Sequence, residues 1–193
     1  MNSKLTTKDI ITVVLLALVN IIIFGFGTFF YLTPITVLLM PVFYALFQGI
    51  VYFMLGVKVP KKGAVLLYAV IMGVIGFNIP YILMHLLAGI AAEWILKRQG
   101  YGQAKPLTLS YILLQLLACV GSTISPYASV LESTLSNIQG GGDLGVNIRA
   151  AGEMIQSWGM LVLMALVGLC AWIGALLGQK IVKKHLVSQE AQE

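Results

Sequence analysis

The stretch that decides the fold is GFNIPYILMHLLAGIAAEWILKR, residues 76–98. It is an apolar run that is entered through Asn-Ile-Pro, contains one histidine and closes with one acidic and two basic residues. Apolar runs of this length are typical of helices that lie in a membrane rather than in water. We therefore interpret this stretch as the central turn of a polytopic membrane protein.

The composition of the chain supports that interpretation. Of its 193 residues, 59% are hydrophobic and 10% are charged, whereas soluble domains average about 25% charged residues. The length allows one membrane domain of about six helices at roughly 20 residues each. It leaves no room for an attached nucleotide-binding domain, so we expect any energy source to be another chain or a gradient.

We predict an all-α polytopic membrane protein with six transmembrane helices, folded as a single integral membrane domain over residues 1–193. The predicted spans are residues 10–30, 35–55, 64–78, 80–96, 107–131 and 153–181. Pro80 lacks a backbone donor and disfavours helix at Ile79, so we predict a break at 77–80 rather than one long helix. The third and fourth helices would each be about 24 Å long. That is short for a full crossing, so partial re-entry of one of them stays open.

The basic residues predict the orientation. With two helices between residues 64 and 96, every basic cluster falls on one side of the membrane and only Arg149 on the other. The clustered residues are Lys4, Lys8, Lys58, Lys61, Lys62, Lys97, Arg98, Lys105, Lys180, Lys183 and Lys184. Lys and Arg collect on the cytoplasmic side, so we expect both termini in the cytoplasm. The formal charge of +5 is thereby explained by topology, and we expect no nucleic-acid partner.

Three local features complete this picture. Thr6 or Thr7 with Asp9 is expected to cap the first helix. Glu93 precedes Lys97 by four residues, an order that favours an ion pair on the helix surface. The segment SNIQGGGDLGVN, residues 136–147, is expected to be a mobile outer loop of the kind that acts as a lid.

Three segments carry a resemblance to a known family. They are KLTTKDIITVVLLAL at 4–18, PVFYALFQGIVYFMLGVKVPKKGAVLL at 41–67 and GALLGQKIVKKHL at 174–186. With the short third and fourth helices, they resemble the Trep_Strep (MptS) group of substrate-binding S components of energy-coupling-factor (ECF) transporters. The resemblance implies a cell-membrane subunit that captures a vitamin-like or other small micronutrient at its outer face. It implies delivery inward with a transmembrane coupling protein and two ABC ATPases, and it implies no cofactor.

Polar residues inside the spans are the candidates for substrate binding, because polar groups in hydrocarbon are costly and usually functional. Tyr81 and His85 are one turn apart on one helix face, and Asn78 precedes them on the outer side. The residues predicted to bind substrate are Asn78, Tyr81, His85, Tyr127, Glu132, Gln156 and Trp158. The alternatives left open are a bond from His85 to a neighbouring helix, solvation of Glu132 in a loop and an interfacial position for Trp158.

Aromatic residues of the first outer connection are a second candidate. Phe29, Phe30 and Tyr31 follow one another there. They are expected either to close over a ligand or to lie at the membrane interface.

Small residues spaced four apart are candidates for partner docking, because they allow close helix approach. The predicted docking residues are Ala17, Ala88, Ala92, Ala171, Gly174, Ala175 and Gly178. The resembled S components carry Ala-x-x-x-Ala in their first helix, whereas here Ala17 is preceded at that spacing by Val13 and followed by Ile21. Packing within the bundle is the alternative for each of these residues.

Catalytic motifs are missing from the sequence, which has no His-Glu-x-x-His, no Gly-x-Ser-x-Gly and no P-loop pattern. Cys119 and Cys170 lie in apolar runs without partners at metal-ligand spacing. We therefore expect no catalytic residues, no metal and no enzyme activity in this chain. Two other functions remain open: a small autonomous carrier, and a structural or regulatory membrane subunit without substrate.

Overall fold

Seven α-helices form the described part of the chain, residues 4–129, 143–156 and 158–184, in a computed structural model. They are α1 (Thr7–Gly25), α2 (Pro34–Lys58), α3 (Ala64–Ile75), α4 (Ile79–Gln99), α5 (Ala104–Cys119), α6 (Asp143–Ile155) and α7 (Trp158–Val182). A 3₁₀ segment, Phe26–Leu32, continues α1, and a π-helical segment, Val120–Ser129, continues α5. The all-α prediction is confirmed for these residues.

Five helical segments among the described residues are long and apolar enough to cross a membrane. They are Thr7–Leu32, Pro34–Lys58, Ile79–Gln99, Ala104–Tyr127 and Trp158–Val182. The remaining apolar helix, α3, has 12 residues and is therefore about 18 Å long, less than the roughly 30 Å of a hydrocarbon core. The structure thus supports five candidate spans and one short apolar helix, and six full crossings are not confirmed.

The predicted break near Pro80 is confirmed. Residues 76–78 separate α3 from α4, and Pro80 lies in the first turn of α4, where a missing N–H costs no helical bond. Asn78 caps α4, with its Oδ1 accepting from the Tyr81 N–H at 3.5 Å. Phe77 has φ +48°, a left-handed backbone conformation that is rare outside glycine. The third helix therefore ends at Ile75, three residues before the predicted end.

The predicted start of the sixth span at residue 153 is wrong. Residues 143–155 form a separate helix, α6, and the long apolar helix α7 begins only at Trp158. The predicted outer loop is also partly wrong, since its residues 143–147 are the first turns of α6. Its residues 136–142 lie outside the described chain.

Polar contacts gather the N-terminal segment and the α2–α3 loop at one end of the bundle. Thr6 and Asp9 form the predicted capping box at the start of α1. The Asp9 carboxylate also lies 2.7 Å from Lys61 Nζ. The start of α1 and the loop after α2 are thereby held side by side.

Glu93 of α4 connects the start of α3 and the loop after α4 at the same end of the bundle. Its Oε1 accepts from the N–H groups of Gly63 at 3.0 Å and Leu66 at 3.4 Å, and its Oε2 accepts from the Tyr101 hydroxyl at 3.0 Å. The carboxylate therefore caps α3, where negative charge is favoured. The predicted ion pair with Lys97 is wrong. We call this end, with its lysine-rich loops, the basic end, and the opposite one the pocket end.

Helices α2 and α7 form a seam of very close contact. A Cβ at Gly174 would lie 2.5 Å from the carbonyl oxygens of both Ala45 and Leu46, and one at Gly178 would lie 2.7 Å from the Gly49 carbonyl oxygen. Only glycine allows such backbone approach.

Buried polar side chains join α2 to α5. The Tyr111 hydroxyl donates to the Ala45 carbonyl at 2.7 Å, and Gln115 Nε2 donates to Gln48 Oε1 at 3.1 Å. Because unpaired polar groups are costly in an apolar interior, these bonds specify which faces of the two helices meet.

Candidate functional site

A cavity of about 220 Å³ lies at the pocket end. Its aromatic and polar lining residues are Phe24, Tyr31, Tyr81, Tyr127, Asn78 and Ser122. Met40, Gly76, Pro126 and Ile148 complete the described wall. The lining comes from α1, its 3₁₀ extension, α2, the α3–α4 turn, α4, the π-helical segment and α6. A wall of aromatic and aliphatic residues with a few polar groups is typical of small-molecule sites.

The short α3 makes room for this cavity. Helices α2 and α3 meet at the basic end, but α2 has 25 residues and α3 has 12, so their lengths are about 37 Å and 18 Å. The α3–α4 turn therefore lies well inside the depth that α2 spans. Irregular backbone at membrane depth is tolerated where it is buried in protein or lines a cavity, and Gly76 and Asn78 of this turn line the cavity.

Two glycines position Tyr81 in the wall. A Cβ at Gly76 would overlap the Tyr81 ring, and a Cβ at Gly121 would lie 2.8 Å from the Tyr81 Cα. The lack of side chains at these positions lets the turn and the π-helical segment close around the start of α4. The Tyr81 ring lies 6.3 Å from the Phe24 ring, so α1 and α4 share this part of the wall.

The π-helical segment supplies the opposite side. Ser122, Pro126 and Tyr127 all line the cavity from Val120–Ser129. Pro126 lacks the N–H that an α-helix needs in its interior, and π-helical turns widen a helix, frequently at functional sites. The irregular backbone at Pro126 thus coincides with the cavity wall.

Helix α6 forms the roof with the 3₁₀ segment. Asn147 Nδ2 donates to the carbonyl oxygens of Tyr31 and Leu32, both at 3.1 Å. Ile148, the next residue, lines the cavity and is 3% exposed. These bonds hold Tyr31 over the cavity, whereas Phe29 is 67% exposed. Of the aromatic cluster at 29–31, only Tyr31 is therefore part of the wall.

Six of the seven predicted substrate-binding residues divide into three groups, and His85 is a separate case. Asn78, Tyr81 and Tyr127 come together in the cavity wall. Gln156 follows α6 and Trp158 begins α7, and both are exposed outside the wall, because the long apolar helix starts at Trp158 rather than at residue 153. Glu132 lies outside the described residues.

His85 lies behind Tyr81 rather than in the wall. Their ring centroids are 4.1 Å apart, and His85 Nδ1 is 3.2 Å from the Tyr81 carbonyl oxygen. A carbonyl oxygen only accepts, so Nδ1 carries the hydrogen in this contact. His85 is 2% exposed and supports the Tyr81 ring from inside the bundle.

Sequence reasoning missed three apolar residues of the wall. Phe24, Met40 and Ile148 line the cavity, and nothing in their type or spacing separates them from ordinary core residues. Tyr31, outside the predicted binding set, was signalled by its place in the aromatic cluster of the first outer connection.

The predicted docking residues are inside the bundle. Ala17, Ala88, Ala92, Ala171 and Ala175 are each 0% exposed. Gly174 and Gly178 form the seam against α2 and are buried as well. These small residues therefore allow helices of this chain to approach one another, which is the alternative given above. A role in partner docking stays a prediction.

An apolar helical bundle with candidate membrane spans and an internal cavity defines an integral membrane protein. The chain belongs to the Trep_Strep family, described as hypothetical bacterial integral membrane protein, whose family model matches residues 7–187. It is a multi-pass protein of the bacterial cell membrane. A search of curated proteins and a search of solved structures each found no match.

Proposed function

We propose that this protein is the substrate-binding membrane subunit of an ECF-type ABC importer. It captures a vitamin-like or other small micronutrient at the pocket end and delivers it inward with a coupling protein and two ATPases. The observation that carries the proposal is the cavity above the short α3–α4 turn, with three of the predicted binding residues in its wall. The positive-inside rule assigns the basic end to the cytoplasm, so the pocket end faces outward.

The chemistry and volume of the cavity wall favour a particular size, shape and charge of substrate. The described lining includes three tyrosines, one asparagine and one serine among apolar residues, and none of these side chains is charged at neutral pH. Aromatic rings prefer flat partners through offset or edge contacts. About 220 Å³ lies below the roughly 300–1,000 Å³ of drug-sized sites. A small, largely planar molecule without net charge fits this wall.

Movement of the roof would widen the cavity for substrate entry. Asn147 joins α6 to the 3₁₀ segment by two hydrogen bonds, and α6 precedes α7 along the chain. Release of the Asn147 bonds would open the cavity outward. ATP binding and hydrolysis on the partner chains would supply the free energy for release inward, since this chain itself acts by binding.

The proposal is tested by native mass spectrometry of the detergent-purified protein, with small molecules extracted and identified. The test variant is Asn78→Ser with Ser122→Ala, and the control is Ser110→Ala, whose hydroxyl bonds Tyr52 at 2.8 Å outside the cavity. We expect a stoichiometric compound in the wild type and the control and its loss in the double variant. No compound in any form, and none in a vitamin and nucleobase screen, would favour a structural or regulatory subunit.

The partner assignment needs a separate measurement. Co-expression with an ECF coupling protein and its two ATPases is expected to give a complex that copurifies and takes up the identified compound with ATP. Uptake by the protein alone, reconstituted in liposomes without ATPases, would contradict the proposal and identify an autonomous carrier.

A further inference from the structure

A groove of about 300 Å³ lies between α5 and α7 at the basic end, far from the substrate cavity. Its walls include Lys105, Thr108 and Ile112 of α5 and Trp172, Leu176 and Gln179 of α7. Trp172 is 49% exposed and Leu176 is 43% exposed, so the groove opens on the surface that faces lipid.

The groove is polar at one end and apolar at the other. The end of the groove nearest the membrane surface is formed by Lys105, Thr108 and Gln179. It lies beside the start of α5 and the end of α7. Ile112 and Trp172 lie about two helical turns deeper, roughly 10–12 Å at 1.5 Å per residue. Gln179 Nε2 donates to Thr108 Oγ1 at 2.9 Å and bridges the two helices under the polar end. A polar end at the membrane surface with an apolar channel below it matches the two parts of a phospholipid.

A second cavity of about 230 Å³ adjoins the groove and adds another cation. It shares Ala104 and Gln179 with the groove and is lined also by Lys183, in the π-helical turn that continues α7. No Asp or Glu is among the described residues that line either cavity. Lys105 and Lys183 thus flank the shared wall from two different helices, without a lining carboxylate to offset their charge.

We propose that this groove binds one anionic phospholipid of the leaflet at the basic end. The phosphate lies between Lys105 and Lys183, and an acyl chain occupies the channel beside Ile112 and Trp172. Basic pockets between transmembrane helices on the cytoplasmic side recognise anionic head groups by this combination of charge and shape. Because the lipid contacts both helices, it joins α5 to α7 where Gln179 already bridges them. The inference does not depend on the proposed function.

The test counts lipids bound to the detergent-purified full-length protein by native mass spectrometry. Dioleoylphosphatidylglycerol is titrated against dioleoylphosphatidylcholine, which has the same chains and no net charge. We expect one tightly bound copy of the anionic lipid. The Lys105→Gln, Lys183→Gln double variant should bind it roughly 25-fold more weakly, from about fivefold per lysine. The matched control, Lys62→Gln with Lys97→Gln, removes two exposed lysines of the basic end that do not line the groove and should bind as the wild type does.

The apolar channel is tested separately. Ile112→Trp fills its deep end and should also weaken binding, whereas Leu87→Trp on the exposed face of α4 should not. Soluble glycerophosphoglycerol, the head group without chains, should fail to displace the lipid. The proposal is overturned if the two lipids bind equally, if the control lysines matter as much as the groove lysines, or if the head group alone competes. It is also overturned if both tryptophan variants behave alike.

Discussion

The two ends of this bundle are built on different principles. At the basic end, connections are short and their polar groups bond to one another, as Asp9 with Lys61 and Glu93 with Gly63 and Tyr101. At the pocket end, the α-helices give way to a 3₁₀ segment, a three-residue turn and a π-helical segment. Residues of these irregular segments line the cavity.

The difference indicates which part of the bundle contributes mainly to stability and which part is available for binding. The basic end and the adjoining α2–α7 seam use their polar groups and glycines to fix helices in position. The pocket end leaves several polar groups for a ligand and holds its roof by the Asn147 bonds. We therefore expect changes at the basic end and seam to lower stability without lowering substrate affinity, and changes in the pocket wall to do the reverse.

The largest effect is expected in the seam. Gly174→Ala would place a methyl group 2.5 Å from two backbone carbonyl oxygens of α2, which cannot move as a side chain can. We expect the free energy of unfolding to fall by about 3 kcal/mol, as for severe overpacking, with a clear drop in the thermal midpoint in detergent. The matched control is Gly168→Ala on the same helix, where the added Cβ would meet only Leu116 at 3.7 Å. Equal stability of the two variants would show that the seam is not tightly packed.

The next effect is expected at the cap of α3. Glu93→Ala leaves the Gly63 and Leu66 N–H groups and the Tyr101 hydroxyl without their acceptor. We expect a loss of about 2 kcal/mol, read as a lower thermal midpoint, and an unchanged affinity for the extracted compound. Glu93→Gln keeps an accepting oxygen and should lose less. A fall in affinity with unchanged stability would contradict the expectation that the basic end contributes to stability rather than to binding.

A smaller effect of the opposite kind is expected in the pocket wall. Asn78→Ser keeps a cap oxygen for α4, since serine caps as well as asparagine, but removes the amide from the cavity wall. We expect affinity for the copurified compound to fall about fivefold, the value of one hydrogen bond, at an unchanged thermal midpoint. Thr33→Ser is the control, because Thr33 caps α2 near the same end without lining the cavity. A loss of stability without a loss of affinity would show that Asn78 caps α4 and does not bind the compound.

The smallest effect concerns pH at the basic end. Partial burial and the bond to Glu93 raise the pKa of Tyr101, in the loop between α4 and α5, from 10.0 to about 12. The folded state therefore favours the neutral phenol, and its contribution to stability is complete below pH 10 and is lost as the pH rises to about 12. We expect the difference in thermal midpoint between wild type and Tyr101→Phe to be constant at lower pH and to shrink across this window. A constant difference up to pH 12 would contradict the Tyr101–Glu93 bond.

Much of the local structure could be predicted because its causes are local. The Thr6–Asp9 capping box and the break before Pro80 each depend on residues within one turn, so spacing and residue type suffice to place them. The membrane character follows from composition in the same way. Tyr81 and Asn78 were found by the same reasoning, because a polar group in an apolar stretch is visible in the sequence.

The sequence by itself therefore determined an apolar helical membrane protein, the break between α3 and α4 and three residues of the candidate site. Only the tertiary structure decided that Glu93 caps α3, that His85 lies behind Tyr81, that α6 covers the cavity and that the predicted docking residues are buried. These features depend on which helix lies beside which, over separations of up to 116 residues between Tyr31 and Asn147. Helical periodicity shows which residues share a face, but it carries no information about the partner that the face will meet.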